Sequence, residues 1–296
     1  MTTVLTDFNN IVVTILQTKG MIEKLSIGDY SLPAQTILEN IKKFVGEQTS
    51  NTNETILCVD SKSWRKLLPF DYKANRDKKK QEEKDKMKMI YGFIEPFIND
   101  IITHNLFPVI KVNYAEADDS LAVLSKYIVS NGGKVIVYSG DIDMAVLHDG
   151  INIDVYRRGW VRYPLLYKSD GVHFQDPTHQ KMYQILRGQD KDGIPKIIEE
   201  KIVTGSRVKG LGPKGTIEVL NEPERVQEYI NKFPENYKRN KLLTDFDMIP
   251  NSIQQAIVEH YNTRVVGQNR DWEGFFEKYN LHSLMPMAQI YRMILK

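Results

Sequence analysis

The 296-residue sequence predicts an α/β fold: a mainly parallel central sheet flanked by helices, followed by a helical second domain. Three observations lead there. Short apolar runs alternate with longer amphipathic stretches through about the first 170 residues; each run ends near a carboxylate; and beyond about residue 170–180 only helical patterns continue. Apolar runs without polar alternation belong to strands covered on both faces, as parallel strands are.

The strands are "VLTDF" near the start, "TILCVD" at 55–60, "PVIKV" at 108–112 and "KVIVYSGD" at 134–141. Amphipathic stretches at Leu32–Val45 and Leu121–Ile128 supply covering helices. "NGG" at 131–133 stops the helix that begins near Glu116. "INIDVYRR" and "WVRYPLL" suit a hairpin around Gly159. Asp176-Pro177 reads as an N-cap with proline in the first turn, leading into "THQKMYQILRG". The chain is accordingly divided into an α/β domain, 1–175, with a basic segment at about 62–90, and a helical domain, 176–296. The terminal "SLMPMAQIYRMILK" is apolar enough to dock on its own domain.

Net charge is only +2, but its distribution is uneven. Residues 61–90 hold eleven Lys or Arg against five acids, and "KIVTGSRVKGLGPKGT" at 201–216 adds four basic residues and no acid. Two basic islands on a nearly neutral chain point to a polyanion meeting particular surfaces. Cys58 is the single cysteine, which excludes internal disulfides and multi-thiolate zinc. The six histidines show no metal-ligand spacing. No signal peptide and no apolar run of spanning length is present, so a soluble, intracellular protein is expected; a monomer is expected as well.

Asp7 closes the first strand, Asp60 the second and Asp141 the fourth, while Glu116 lies just past the third. Parallel strands bring their carboxyl ends, where ligands bind, to one rim, together with Asp118, Asp119 and Asp143. A single acid there caps a helix or ends a loop. Several together repel, by roughly 1 kcal/mol per pair at ~4 Å in water and ~4 kcal/mol at a surface-like dielectric, so they protonate or take cations. An all-oxygen donor set favours Mg²⁺ or Mn²⁺. Glu116 and Asp119 share a helix face, and Asp118 points in a neighbouring direction.

These residues resemble the structure-specific 5′-nuclease (flap endonuclease) family, and within it the branch of ribonucleases H from T-even-type bacteriophages. The resemblance lies in "TDFNN", "CVDSKSWRK", "YAEADDSLAVL", "SGDIDMAVL", "DYKANRD" and "LLTDFDMIPNSIQQAIVEHYN", and spans nearly the whole chain. It implies a PIN-like nuclease fold with a helix–hairpin–helix-like element in the helical domain. It further implies two metal clusters: Asp7, Asp60, Glu116, Asp118, Asp119 and Asp141 for one, directly or through waters, and Asp143 with Asp190 and Asp192 for the other. The family pattern at the second is Gly-Asp-x-x-Asp-Asn, whereas this chain reads "GQDKDG", so Gln189 replaces an aspartate; Asp192 ranks above Asp190. Two ions ~3.5–4 Å apart activate water and stabilise both oxygens of phosphodiester cleavage.

Lys73 and Arg76 match the family's catalytic basic residues, three apart on one helix face. Arg65 and Lys66 are secondary phosphate contacts, Tyr72 offers its ring either to a base or to packing, and Trp64 reads as core. Lys209, Gly210, Gly212, Lys214 and Gly215 form a glycine-rich turn before a helix, suited to aim N–H groups at a phosphate; the resemblance implies grip on duplex DNA there, with K⁺ a further ion. It is not a nucleotide P-loop, because Lys214 is followed by Gly215.

The implied activity is Mg²⁺-dependent 5′→3′ exonuclease and flap cleavage of RNA primers in RNA–DNA hybrids and of 5′ DNA ends during lagging-strand replication, in the host cytoplasm. Implied partners are 5′-flap, nicked or gapped duplexes and a single-stranded-DNA-binding protein or sliding clamp. The alternative is a catalytically silent nucleic-acid binder of the same fold. An aspartyl-phosphate phosphatase is disfavoured, because Asp7 is followed by Phe8 and Asn9 rather than an aspartate two residues on.

Overall fold

The computed structural model describes residues 2–48, 52–74, 80–157, 161–162, 177–198, 202–203, 206–207, 211–265 and 269–295. The elements in chain order are β1 (Thr2–Asp7), α1 (Phe8–Leu16), α2 (Lys19–Ser26), α3 (Ser31–Gln48), β2 (Thr52–Cys58), α4 (Gln81–Thr103), β3 (Val109–Ile110), α5 (Ala117–Ser130), β4 (Lys134–Tyr138), β5 (Ile153–Arg157) and β6 (Val161–Arg162). They continue with α6 (Pro177–Arg187), β7 (Ile202–Val203), β8 (Ser206–Arg207), α7 (Pro213–Leu220), α8 (Pro223–Lys232), α9 (Pro234–Thr244), α10 (Asn251–Thr263), α11 (Trp272–Lys278) and α12 (Ala288–Ile294).

β1 pairs in parallel with both β2 and β4, and the sheet order is β3-β2-β1-β4-β5-β6. Only β6 runs antiparallel, against β5. Strands added after β1 go first to one side and then to the other, so the order switches between β1 and β4. In open parallel sheets that switch opens a crevice at the carboxyl ends, and Asp7 and Asp141 lie on its two sides. The expected strand cores are present; β3 keeps only Val109–Ile110 of the expected 108–112.

One face of the sheet packs on α1, α3 and α4, the other on α5 and helices of the C-terminal region. In α4 the residues Ile90, Phe93, Ile94, Phe97, Ile98 and Ile101 are buried; their three- and four-residue spacing makes one apolar stripe, and the helix buries it against the sheet. The first two turns of α4, with the run "QEEKDKMK", are largely exposed. At α5 a capping box closes the N-terminus: the Glu116 N–H donates to Asp119 Oδ2 at 3.0 Å. Gly132, at φ +80°, closes the other end, with Gly133 N–H on Ile128 O at 2.9 Å and Gly132 N–H on Val129 O at 3.0 Å.

Two differences from the sequence reading stand out. β7 and β8 form a short antiparallel pair where only helices were expected; two-residue strands carry no apolar periodicity to read. The terminal apolar run docks, but on the α/β layer instead of the helical region that precedes it. Trp272, Phe275, Phe276, Tyr279, Leu284 and Tyr291 join the core formed by α1, α3 and α4. Phe275 meets Phe97 edge-on at 5.6 Å, and Trp272 meets Tyr291 at 5.1 Å. The aromatic row on α4 offers a surface that the tail's own rings fit. Gly159 and Asp176 fall outside the described residues.

Trp272→Ala opens a cavity in a fully buried site, so the free energy of unfolding falls by about 3–5 kcal/mol. Urea denaturation measures this, and a loss below about 1 kcal/mol contradicts the tail's place in the core.

Candidate active site

The carboxyl ends of β1, β2 and β4 and the start of α5 open into one cleft of about 750 Å³, lined by Asp7, Asp60, Glu116, Asp118 and Asp141 together with Lys62, Lys66 and Lys73. Each acid is held by its own local structure. Asp7 caps α1: its Oδ1 accepts from the Asn10 N–H at 3.2 Å and its Oδ2 from the Ser139 hydroxyl at 2.6 Å. Asp60 accepts from the Ala117 N–H at 2.8 Å, and its own N–H donates to Asn9 Oδ1 at 2.9 Å. Asp141 caps a 3-10 turn by accepting from the Asp143 N–H at 3.0 Å. The helix starts thus fix the acids, as capping chemistry requires.

Glu116 is the most heavily bonded. Its carboxylate accepts from the Ser63 hydroxyl at 2.6 Å, the Tyr72 hydroxyl at 3.1 Å, Arg65 Nη1 at 3.3 Å and the Lys73 ammonium. Burial pushes its pKa up, but Lys73 and Arg65 override that and bring it down to about 2. Asp7 goes the other way: burial, then the charge of Asp60, pushes its carboxyl up to about 7. Burial, then Asp7 and Asp141, drives Asp118 well above the usual carboxylate range. Burial sets both upward shifts and the neighbouring carboxylates add to them.

The first group of acids fits a hard cation: its donors are all oxygen, and Asp7 and Asp118 are raised by burial and then by the charge of neighbouring carboxylates. The ligands stand apart as they are, for no group of three or more His, Cys, Asp or Glu among the described residues is arranged to hold an ion directly. The second group does not fit. Asp143 Oδ1 accepts from Gln184 Nε2 at 2.8 Å and its Oδ2 from Gln189 Nε2 at 3.1 Å. Lys191 lies 2.9 Å from Asp143 Oδ2 and 3.1 Å from both oxygens of Asp141. Asp192, 7% exposed, lines a smaller adjoining cavity of about 50 Å³ with Asp143, Gln184 and Gln189. Asp190 faces solvent, its side chain 76% exposed beside Arg187.

Three expectations are corrected by this geometry. Arg65 is buried instead of at the surface: only 3% exposed, it donates from Nε to Leu243 O at 2.9 Å and from Nη1 to Asp119 at 2.9 Å. It thereby ties the loop before α4 to α5 and to the last turn of α9, where a cation meets free carbonyls favourably. Asp119, 0% exposed, gives its carboxylate to Arg65 and the Glu116 N–H and does not line the cleft with the other acids. Lys73 is not on a helix: at φ +58° its backbone is left-handed, held by its N–H on Asp192 O at 2.7 Å and its ammonium on Glu116.

Tyr72 likewise directs its hydroxyl to Glu116. Lys66 is exposed on the cleft wall, and Trp64 is buried. Gly212 precedes α7, on which Lys214 is exposed and Gly215 half-buried. Arg76, Lys209 and Gly210 fall outside the described residues. Sequence reasoning missed Ser63, Ser139, Asn9, Gln184 and Lys191. Ser139 and Asn9 stand inside quoted motifs, and Lys191 sits within the divergent "GQDKDG".

A mostly parallel sheet with an acidic cleft at its carboxyl rim, overhung by lysines, defines a nuclease of the resolvase-like α/β class. Residues 27–176 match the family model described as 5′-3′ exonuclease, N-terminal resolvase-like domain, and residues 176–290 match the one described as T4 RNase H, C terminal. The chain belongs to the 5′-3′ exonuclease family and is a 5′-nuclease. It is 26% identical over 275 residues to the ribonuclease H of Enterobacteria phage T4, covering 88% of this chain and 86% of that one. It is also 26% identical over 215 residues to a 5′-3′ exonuclease of Aquifex aeolicus (strain VF5), covering 65% of each. Its fold is shared with a bacteriophage T5 protein co-crystallised with metal ions (TM-score 0.65, 19% identity, 88% of this chain and 97% of that one). It is shared too with the T5 flap endonuclease in a complex with DNA and metal ions (TM-score 0.64, 17% identity, 89% and 100%). No described helix is long and apolar enough to cross a membrane.

Arg65→Ala strands the buried carboxylates of Asp119 and Glu116, so stability falls by about 3–5 kcal/mol in chemical denaturation; Arg65→Lys, which lacks the planar fork, recovers only part. Asp7 supplies a pH dependence. Its native carboxyl keeps a proton up to about pH 7, whereas the unfolded chain releases it near 3.8. The native state therefore binds more protons in that window, and stability falls as pH rises through it. Asp7→Asn removes this contribution, so in EDTA its stability relative to the unchanged protein improves from pH 4.5 to pH 7.5, as thermal melts report.

Proposed function

We propose that the chain is a divalent-metal-dependent 5′→3′ exonuclease and flap endonuclease that hydrolyses phosphodiesters near the 5′ ends of RNA or DNA strands annealed to a template. The observation that carries this reading is the convergence of Asp7, Asp60, Glu116, Asp118 and Asp141 on one cleft with Lys66 and Lys73 on its wall. Those five carboxylates would hold Mg²⁺, or Mn²⁺ in its place, directly or through water. The bound ion supplies Lewis acidity and a water of lowered pKa.

The chain's own side chains do the rest. Glu116 keeps Lys73 over the cleft, and Lys73, with Arg76 and Lys66, offsets the charge of the scissile phosphate. Ser139 and Asn9 orient Asp7 and the Asp60 backbone, so the acids keep their positions as substrate enters. Lys80, Lys84, Lys86 and Lys88 at the exposed start of α4, and Gly212, Lys214 and Gly215 at α7, suit grip on flap, nicked or gapped duplexes, with K⁺ a candidate ion at the second element. The acids that do the chemistry lie within residues 1–175, and of the helical domain expected at 176–296 we assign residues 176–263 to holding DNA, since the tail packs into the α/β core. Removal of RNA primers during replication in the cytoplasm, with a single-stranded-DNA-binding protein or sliding clamp as partner, completes the proposal. Its rival is a silent DNA binder, which the lysine seated on Asp141 and Asp143 favours.

A 5′-labelled flap and an RNA–DNA hybrid, incubated with Mg²⁺ and then with EDTA, separate the two. Small labelled products with Mg²⁺ and none with EDTA are expected; no metal-dependent product establishes the silent binder. Asp141→Asn abolishes cleavage and leaves DNA affinity within about twofold. Lys73→Ala lowers the single-turnover rate about 10²-fold or more with little change in binding.

A further inference from the structure

Asp143, which the resemblance assigns to a second ion, already holds a cation from this chain. We propose that Lys191 is a built-in substitute for that ion, so that the cleft takes one divalent ion where the family pattern supplies ligands for two. The inference rests on the metal-dependent reading above.

Sequence and geometry agree on it. Where the pattern has aspartate this chain has Gln189, which removes a negative charge, and two residues on Lys191 adds a positive one. Both side chains reach the same carboxylate. Asp143 has both oxygens engaged, one by Gln184 and the other by Gln189 and Lys191. Lys191 also bridges to both oxygens of Asp141. An ion bound between Asp141 and Asp143 would have to displace an ammonium and two amide donors, and stripping donors from an engaged carboxylate is costly.

The turn that carries these groups is tightly set. Gly188 and Gly193 lie at φ +66° and +71°, and the Gln189 N–H donates to Ile194 O at 2.8 Å. A Cβ at Gly188 would stand 2.4 Å from the Ile194 carbonyl, so only glycine lets the chain close there. Gln184, on α6, is buried and fixed in its place. Lys191 is attached to this frame yet keeps 52% of its side chain exposed. The first group differs: among the described residues Asp7 and Asp118 form no ion pair.

An ammonium provides positive charge and N–H donors but no Lewis-acid face. At this position it holds Asp141 and Asp143 apart from each other's repulsion and leaves the water chemistry to the one ion.

The test is a count of bound Mn²⁺ on the full chain, by titration calorimetry and by electron paramagnetic resonance of the free ion. The unchanged protein is expected to bind one Mn²⁺, and Gln189→Asp/Lys191→Met two. Lys191→Met alone keeps the length of a half-exposed side chain, so it folds, and it is expected to gain a second site at least tenfold weaker than the first. Two ions of comparable affinity on the unchanged protein overturn the inference and leave the nuclease reading intact. A double variant that still binds one ion overturns it as well. No Mn²⁺ on any form removes the metal-dependent reading itself, and this inference with it.

Discussion

Repulsion among the acids of the cleft is the load that the rest of the fold is arranged to bear. Each unscreened pair at ~4 Å costs roughly 1 kcal/mol in water and ~4 kcal/mol at a surface-like dielectric. The chain offsets it in two ways. Backbone N–H groups at helix starts and the Ser139 hydroxyl hold Asp7 and Asp60. Cationic side chains hold Glu116, Asp119, Asp141 and Asp143. The strain that is left falls on Asp7 and Asp118, whose carboxyls are pushed toward the protonated form. A rigid, close-packed sheet beneath them keeps that strain from relaxing by movement.

Arg65 links this electrostatic arrangement to the tertiary structure. It reaches carboxylates on α5 and a carbonyl on α9, so the helix that starts the acidic motif and the helical region after residue 177 share one anchor. Its neighbours in sequence, Lys62 and Lys66, remain at the cleft surface. The same basic run thus serves structure at one position and solvent at the next, and a helix entry or a 3-10 turn decides which.

How much of this was legible follows from the kind of signal each feature leaves. The parallel sheet and α5 were readable, because apolar continuity, an acidic first turn and a glycine stop are all local. The convergence of Asp7, Asp60, Glu116 and Asp141 was readable too, since parallel strands carry their ends to one side whatever the loops do. Arg65 and Asp119 were misread, because their burial depends on each other across more than fifty residues. Lys73 was placed on a helix by its spacing to Arg76; a tertiary bond to the Asp192 carbonyl pulls it into a conformation that no periodicity announces. Lys191 was overlooked for a simpler reason: a lysine between two aspartates looks like a solvated turn until Asp141 and Asp143 are brought beside it.

The tail that completes the aromatic wall has a consequence for how the molecule comes into being. Phe93 and Phe97 are synthesised some 180 residues before the Phe275 and Tyr279 rings that cover them. A nascent polypeptide leaving the ribosome from its amino end therefore carries that wall uncovered until residues 272–295 emerge. Contacts of such long sequence separation form late and slowly. During that interval the uncovered rings are a surface for chaperones or for aggregation.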